Sequence, residues 1–216
     1  MCGRFNIVDS PQVHALLELA GVKVDNLPTR YNIAPTEPVP LLHQFESRTV
    51  LSSARWWLTP HWAKQPDTTY AMFNARWEKL NSSPAWKGPF RHHRGFVPAS
   101  SFIEWKADSQ GKQPYLVSLK DQAMAFAALW DLWEKEDSHI LSCAIVTHES
   151  DERFWDVHQR MPLVLDPQAV QLWLSDGELD IDNPKTLHID QPFEVQAIDR
   201  SINGSRNKEA PRAIGI

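Results

Sequence analysis

Short runs that alternate apolar and polar residues recur along most of this 216-residue chain. A period of two is typical of strands that bury one face. Neighbouring runs are joined by short polar turns such as Asp108-Ser109-Gln110-Gly111, with no helical pattern between them, which favours antiparallel pairing. The predicted strands are Gly3–Val8, Thr49–Leu58, Gly95–Pro98, Phe102–Lys106, Tyr115–Leu119, Ala123–Leu129, Ile140–Thr147, Pro162–Leu165 and Phe193–Ile198.

Helix signals are fewer. Ser10-Pro11 supplies an N-cap followed by Pro at the first helical position, and the apolar spacing that follows ends at Gly21, so a helix is predicted over residues 11–20. Asp166-Pro167 repeats the signal before a segment that stops near Gly177, and Ser150 precedes a short helical piece with Phe154 and Trp155. We therefore predict a single α+β domain over residues 1–216, mostly an antiparallel β core flanked by a few helices.

Composition narrows the class of protein. With 42% hydrophobic residues, the chain can bury one substantial core. It shows no apolar run of membrane-spanning length and no secretion signal, so a cytoplasmic protein with no membrane partner is expected, with a monomer as default. The two cysteines, Cys2 and Cys143, have no zinc-like spacing with histidines, and neither a metal nor a cofactor is expected.

The net charge of −5 argues against indiscriminate binding of nucleic acid by the whole surface. The segment Ala54–Lys106 differs, because it holds eight basic residues, three acidic residues and six of the ten tryptophans. Cations interleaved with flat rings are what a groove for single-stranded nucleic acid requires. The alternative, that these tryptophans pack a core, stays open at this point.

Cys2 becomes the first residue if Met1 is removed, and it then carries a free amine and a thiol on adjacent carbons. An α-amino group titrates near 7.7–8.0, against about 10.4 for lysine, so far more of it is unprotonated at neutral pH. Attack of this amine on an aldehyde gives an imine, and the thiol closes a five-membered thiazolidine ring on the same carbon. A cysteine at position 2 is by itself a weak signal, since most such thiols are inert.

A set of motifs runs in order along nearly the whole chain: MCGRF, RYNIAPT, FNAR, FVPASSFIEW, QPYLVSL, AFAALWDLW, AIVTHES and HQRMPLVL. This set resembles the SOS response-associated peptidase (SRAP) family of abasic-site processing proteins. The resemblance implies an α+β domain that recognises abasic sites in single-stranded DNA and bonds to them through Cys2. It also implies a peptidase step in which the same site releases Met1.

The resemblance further implies four catalytic residues: Cys2 in MCGRF, Asn74 in FNAR, Glu104 in FIEW and His158 before Arg160-Met161-Pro162. Glu104 suits proton transfer during opening of the abasic sugar, and His158 suits dehydration of the carbinolamine. Asn74 can hold the amine or a phosphate. The residues expected to contact DNA are Arg4, Arg76, Arg160, Trp62 and Asn32.

Two other functions stay open from the residues alone. Class II glutamine amidotransferases also begin Met-Cys-Gly and use a processed N-terminal cysteine on an amide, but this chain has Arg at position 4 and only eight glycines. The third hypothesis is a module that binds single-stranded or modified DNA without bonding to it.

Overall fold

The computed structural model describes residues 2–150, 154, 157–175, 179 and 182–215. Its α+β architecture confirms the predicted fold class. The helices are α1 (Pro11–Leu19), α2 (Pro84–His92) and α3 (Val170–Leu174). The strands are β1 (Phe5–Ile7), β2 (Arg30–Ile33), β3 (Pro38–Phe45), β4 (Arg48–Trp56), β5 (Asn74–Arg76), β6 (Arg94–Ala99), β7 (Ser101–Asp108), β8 (Gly111–Leu119), β9 (Met124–Lys135), β10 (Ser138–Glu149), β11 (Arg160–Pro162), β12 (Val164–Leu165) and β13 (Phe193–Ala197).

The larger sheet closes on itself into a barrel-like core. Its strands follow the order β10-β4-β3-β6-β9, and β9 pairs back to β10. β11 and β12 extend this sheet, and β5 pairs with β10. Most pairs are antiparallel, as the short turns predict, whereas β4 and β5 each run parallel to β10. Closure removes the open edges that an antiparallel sheet otherwise presents to solvent.

The second sheet has the order β13-β8-β7-β1-β2 and packs on the barrel through aromatic rings. Phe5 of β1 lies edge-on to Trp56 at 5.0 Å between ring centroids and to Phe126 at 5.9 Å. Phe102 of β7 meets Phe126 at 6.0 Å in the same way. Because edge-to-face pairs of buried rings stabilise a packed interface, β1 and its neighbour β7 are both held against the barrel, and the chain's first residues lie at this junction.

The Ser10-Pro11 capping signal correctly predicted where helix α1 begins. Helix α1 starts at Pro11, and the Ser10 hydroxyl accepts the Val13 N–H at 3.4 Å. Gly21 follows with φ of +81°, the left-handed conformation that glycine adopts without strain. The segment after Asp166 forms only the five-residue helix α3. Its predicted end near Gly177 and most of the helical piece after Ser150 lie outside the described residues.

The sequence analysis missed four of these elements, α2, β2, β3 and β5, for identifiable reasons. Prolines at 38 and 40 argue against a central strand. However, β3 pairs with β6 only at Leu42 and His43, and its proline-containing end pairs with β4 alone. Helix α2 contains Gly88 and Pro89, but burial of its apolar face outweighs these breakers. β2 has four residues and β5 has three, which is too short for a clear alternation. Among the described residues, no helix is long and apolar enough to cross a membrane.

Candidate active site at the chain's N-terminus

The first residues of the chain lie beside Glu104 because the pairing of β1 with β7 continues beyond β1. The Ile103 N–H donates to the Arg4 carbonyl at 2.9 Å, one residue past the Phe5–Phe102 pair. This antiparallel register carries Cys2 alongside the next part of β7, where Glu104 lies. Cys2 is fully buried there, and its thiol points to the Arg4 carbonyl at 3.9 Å.

Asn74 ties Cys2 to the barrel. It is the first residue of β5, which pairs in parallel with β10 at Ile145. Its side-chain Nδ2 donates to the Cys2 carbonyl at 2.8 Å. Its Oδ1 is buried and has no hydrogen-bond partner among the described residues. The amide therefore fixes the backbone of Cys2 and keeps one acceptor beside it, whereas the sequence pointed to the amine or a phosphate as its partner.

Glu104 brings a carboxyl group to the same place. It is 2% exposed on the face of β7 that also carries Phe102. Burial raises the pKa of this carboxyl above its ordinary value, and the charge of His158 nearby acts in the opposite direction. A carboxyl with a raised pKa can both give and take a proton near neutral pH, which is what general acid and base work requires.

The Cys2 thiol is kept protonated by the same surroundings. Burial raises its pKa, and the negative charge of Glu104 raises it further. A free thiolate is thus disfavoured at this site, in contrast to the activated cysteines of many hydrolases. The thiol fits a step in which it acts together with a base rather than as an isolated nucleophile.

The His158 ring is oriented by the backbone of Arg160. Its Nδ1 lies 3.0 Å from the Arg160 N–H and 3.0 Å from the Arg160 carbonyl oxygen. Nδ1 accepts from the N–H when it is bare and donates to the carbonyl when it is protonated, so the ring has a partner in either state. The Ser150 hydroxyl also donates to the His158 carbonyl at 2.7 Å. An imidazole held this way can change protonation state without reorienting.

Two residues expected to contact DNA form hydrogen bonds within the protein. Arg4 Nη1 donates to Asn32 Oδ1 at 2.8 Å, and its guanidinium lies 5.6 Å from the centroid of the Trp105 ring. The fully buried Asn32 Nδ2 contacts three carbonyls of the C-terminal segment, those of Ile202, Gly204 and Asn207. These bonds account for Asn32 as a structural residue, and a DNA contact by either side chain stays a prediction.

The other two arginines differ in availability. Arg76, at the end of β5, is exposed and its side chain has no partner in the described part of the chain. The Arg160 guanidinium binds both carboxylate oxygens of Glu78, with Nη1 and Nη2 at 3.2 and 3.1 Å. It also donates to the Thr147 carbonyl at 2.7 Å. Arg76 is therefore available to a phosphate, whereas Arg160 must first share or lose Glu78.

A groove of about 990 Å³ lies between residues 58–72 and the start of α2. Trp62 and Tyr70 line it and are 60% and 75% exposed. Met72, two residues before Asn74, also lines the groove. Tyr70 was missed by the sequence analysis, although a lone aromatic residue in a polar stretch rich in Pro, Asp and Thr is a usable signal.

Core packing accounts for most of the tryptophan cluster. Trp56 and Trp86 are buried, while Trp57, Trp77 and Trp105 are partly buried. Arg94 is also buried, where it donates to backbone carbonyls at the ends of two helices. Trp62 thus differs from the other five in its exposure. Within the described ranges no three His, Cys, Asp or Glu side chains gather as a metal would require.

Curated proteins similar to this chain are abasic site processing proteins. The chain is 32% identical over 223 residues to YoaM of Bacillus subtilis, covering 97% of this chain and 96% of that protein. It is 30% identical over 181 residues to YedK of Escherichia coli, covering 81% and 79%. It is 27% identical over 217 residues to HMCES of Xenopus tropicalis, covering 85% and 65%.

Solved structures share the fold. A protein from Bacteroides thetaiotaomicron superposes with a TM-score of 0.79 at 18% identity, over 93% of both chains. A protein from Bordetella bronchiseptica gives a TM-score of 0.75 at 17% identity, over 92% of this chain and 100% of its own. The family model described as SOS response associated peptidase matches residues 1–204. The chain therefore belongs to the SOS response associated peptidase (SRAP) family.

Proposed function

We propose that this protein captures abasic sites in single-stranded DNA by forming a covalent bond through Cys2. The observation that carries the proposal is the Asn74–Cys2 hydrogen bond of 2.8 Å beside the buried Glu104. It holds the backbone of the second residue rigidly at a proton-transfer group. The names of the relatives, abasic site processing proteins, support the substrate class.

The reaction begins once Met1 is removed, because the Cys2 nitrogen is otherwise part of a peptide bond. An abasic deoxyribose must open to its C1′ aldehyde. The Cys2 amine adds to this carbon, and loss of water gives an imine. The thiol then adds across the C=N bond, with sulfur bonding to carbon and the thiol proton moving to nitrogen. The product is a thiazolidine, whose reversal requires two bonds to break.

Each neighbouring side chain has a role in this sequence. The Glu104 carboxyl protonates the sugar ring oxygen during opening and, once ionised, takes a proton from the Cys2 ammonium. The His158 ring protonates the departing hydroxyl of the carbinolamine. Asn74 Nδ2 holds the Cys2 carbonyl, and its Oδ1 offers an acceptor to the freed amine. We further propose that Cys2 and Glu104 act in the release of Met1, with an aminopeptidase as the other route.

The experiment incubates the full chain with an abasic single-stranded oligonucleotide, boils the mixture in detergent and resolves adducts by electrophoresis and intact mass. Cys2→Ala should give no adduct. Cys143→Ala is the matched control, because Cys143 is equally buried but lies on β10 within the barrel, and it should react like the wild type. An undamaged oligonucleotide should give no adduct with any variant.

Three outcomes would contradict the proposal. One is an unchanged adduct yield in Cys2→Ala. Another is a wild-type complex that dissociates on boiling, which would favour the non-covalent binding module. The third is glutaminase activity of the processed protein without any adduct, which would favour the amidotransferase hypothesis.

A further inference from the structure

The barrel holds one wall of the groove through three hydrogen bonds at alternate residues. We call residues 58–63 the Trp62 segment. The Thr59 N–H donates to Ser142 Oγ at 2.8 Å, the His61 N–H to Asp131 Oδ2 at 2.9 Å, and the Trp133 indole N–H to the Ala63 carbonyl at 2.8 Å. The segment thus lies on the barrel much as an added strand does, although side chains supply its partners.

Asp131 is the central anchor. It is 2% exposed on β9 and is the direct cross-strand partner of Ser142 on β10, so two of the three anchors are adjacent. Its carboxylate also accepts from the His61 ring at 3.0 Å and from the Leu132 N–H at 3.0 Å. Burial opposes its ionisation, but the His93 ring, whose Nδ1 lies 3.6 Å from Asp131 Oδ1, and hydrogen bonds from His61 lower its pKa below the ordinary value. The segment is therefore tied down by charge-assisted bonds, which are stronger than neutral ones.

The alternation of these bonds explains the exposure of Trp62. Thr59, His61 and Ala63 use their backbone groups on the barrel side, and Trp62 lies between two of them with a ring that is 60% exposed. The segment is also joined to the other wall of the groove, since the Leu58 N–H donates to the Met72 carbonyl at 3.0 Å. Met72 lines the groove and is two residues before Asn74 in the chain, so the groove lies near β5.

We propose that Asp131, assisted by Ser142, is a positioning residue that presents the Trp62 ring as a preformed stacking surface for a base flanking the lesion. The inference rests on the proposed function only in taking single-stranded DNA as the substrate. A ring that is already oriented loses little freedom when a base stacks on it, so pre-organisation strengthens binding without any contact between Asp131 and DNA.

The test is a double-mutant cycle on the affinity for an undamaged fluorescent single-stranded oligonucleotide. Trp62→Ala should weaken binding about tenfold, within the range for one stacked base. Asp131→Asn should weaken it about threefold, because one amide oxygen replaces a carboxylate with several donors. The variant with both changes should bind no more weakly than Trp62→Ala alone. Asp108→Asn, at an exposed carboxylate paired with Arg200, should bind like the wild type.

A second reaction separates this inference from the proposed function. A small aldehyde that does not span the groove should react with the processed Asp131→Asn variant at the wild-type rate, while an abasic oligonucleotide should react more slowly. Ser142→Ala removes the Thr59 anchor with little change in volume, and it supplies the same cycle if Asp131→Asn fails to fold. Equal weakening by the anchor variants in the presence and absence of Trp62 would overturn the inference. Absence of any wild-type adduct would overturn the proposed function. The double-mutant cycle would still test the inference, because it measures the affinity for an undamaged oligonucleotide.

Discussion

Replacing Asn74 with Ala removes the side chain that donates a hydrogen bond to the backbone carbonyl of Cys2. Asn74 is 8% exposed, and its Nδ2 donates to the Cys2 carbonyl at 2.8 Å. The alanine side chain is small enough to create no clash, so the change is a loss of one buried donor. We expect slower adduct formation with little change in DNA affinity, because the bond positions the nucleophile and not the oligonucleotide.

The size of the effect follows from the carbonyl that is left behind. A buried acceptor without a partner costs about 1–3 kcal/mol, and the N-terminal residues can avoid that cost by moving away from β5. Holding Cys2 in its reactive position then costs the same free energy, which at about 1.4 kcal/mol per tenfold predicts a rate lowered about 5- to 150-fold.

The assay is the single-turnover rate of adduct formation, with the processed protein in excess over an abasic oligonucleotide. Affinity for the undamaged oligonucleotide and the melting temperature are measured alongside. Asn183→Ala is the matched control, since Asn183 caps a single helical turn at an exposed position, and it should leave the rate unchanged. A rate for Asn74→Ala within twofold of the wild type would refute the reasoning that this hydrogen bond positions Cys2.

Three further predictions concern charge. Between pH 4.5 and the raised pKa of Glu104, the folded state binds more protons than the unfolded state, so wild-type stability falls as pH rises through this window. The melting temperature of Glu104→Gln should therefore rise relative to that of the wild type between pH 4 and pH 8. A difference between the two melting temperatures that stays constant over this range would contradict the raised pKa. Glu78→Gln frees the Arg160 fork, and the slope of log affinity against log salt should steepen by about 0.7 for one added phosphate contact. Arg76→Ala should make the same slope shallower by about 0.7, and an unchanged slope would exclude a phosphate contact there.

The residues of the candidate site were predicted from the sequence through motifs rather than local pattern. Asn74, Glu104 and His158 each have an ordinary structural role when considered alone, and only their place in family motifs marked them. The structure brings Cys2 into contact with Asn74 and into the electrostatic range of Glu104, and Glu104 into that of His158. Asp131 also lies in a family motif, AFAALWDLW, but it was given no role, because a charged residue in a strand is usually on its solvent face.

The residues expected to contact DNA stay predictions, and the sequence did not show which of them are exposed, since residue type does not specify exposure. Asn32 and Arg94 suit nucleic acid by composition, yet both are buried and satisfy backbone carbonyls. Arg160 lies in a family motif but is paired with Glu78, which is 82 residues away in sequence. No pattern within a short window contains such a partner.

By itself, the sequence determined the antiparallel β-rich class, helix α1 with its Ser10 cap, and the presence of a cysteine that processing can place at the amino terminus. These depend on neighbouring residues, whose periodicity and capping groups act over a few positions. The tertiary structure alone decided which of the six tryptophans in Ala54–Lys106 faces solvent, which of Arg4, Arg76 and Arg160 is available, and that Asp131 lies under the Trp62 segment. Burial and charge pairing depend on which strands meet when the barrel closes, and those strands are distant in the chain.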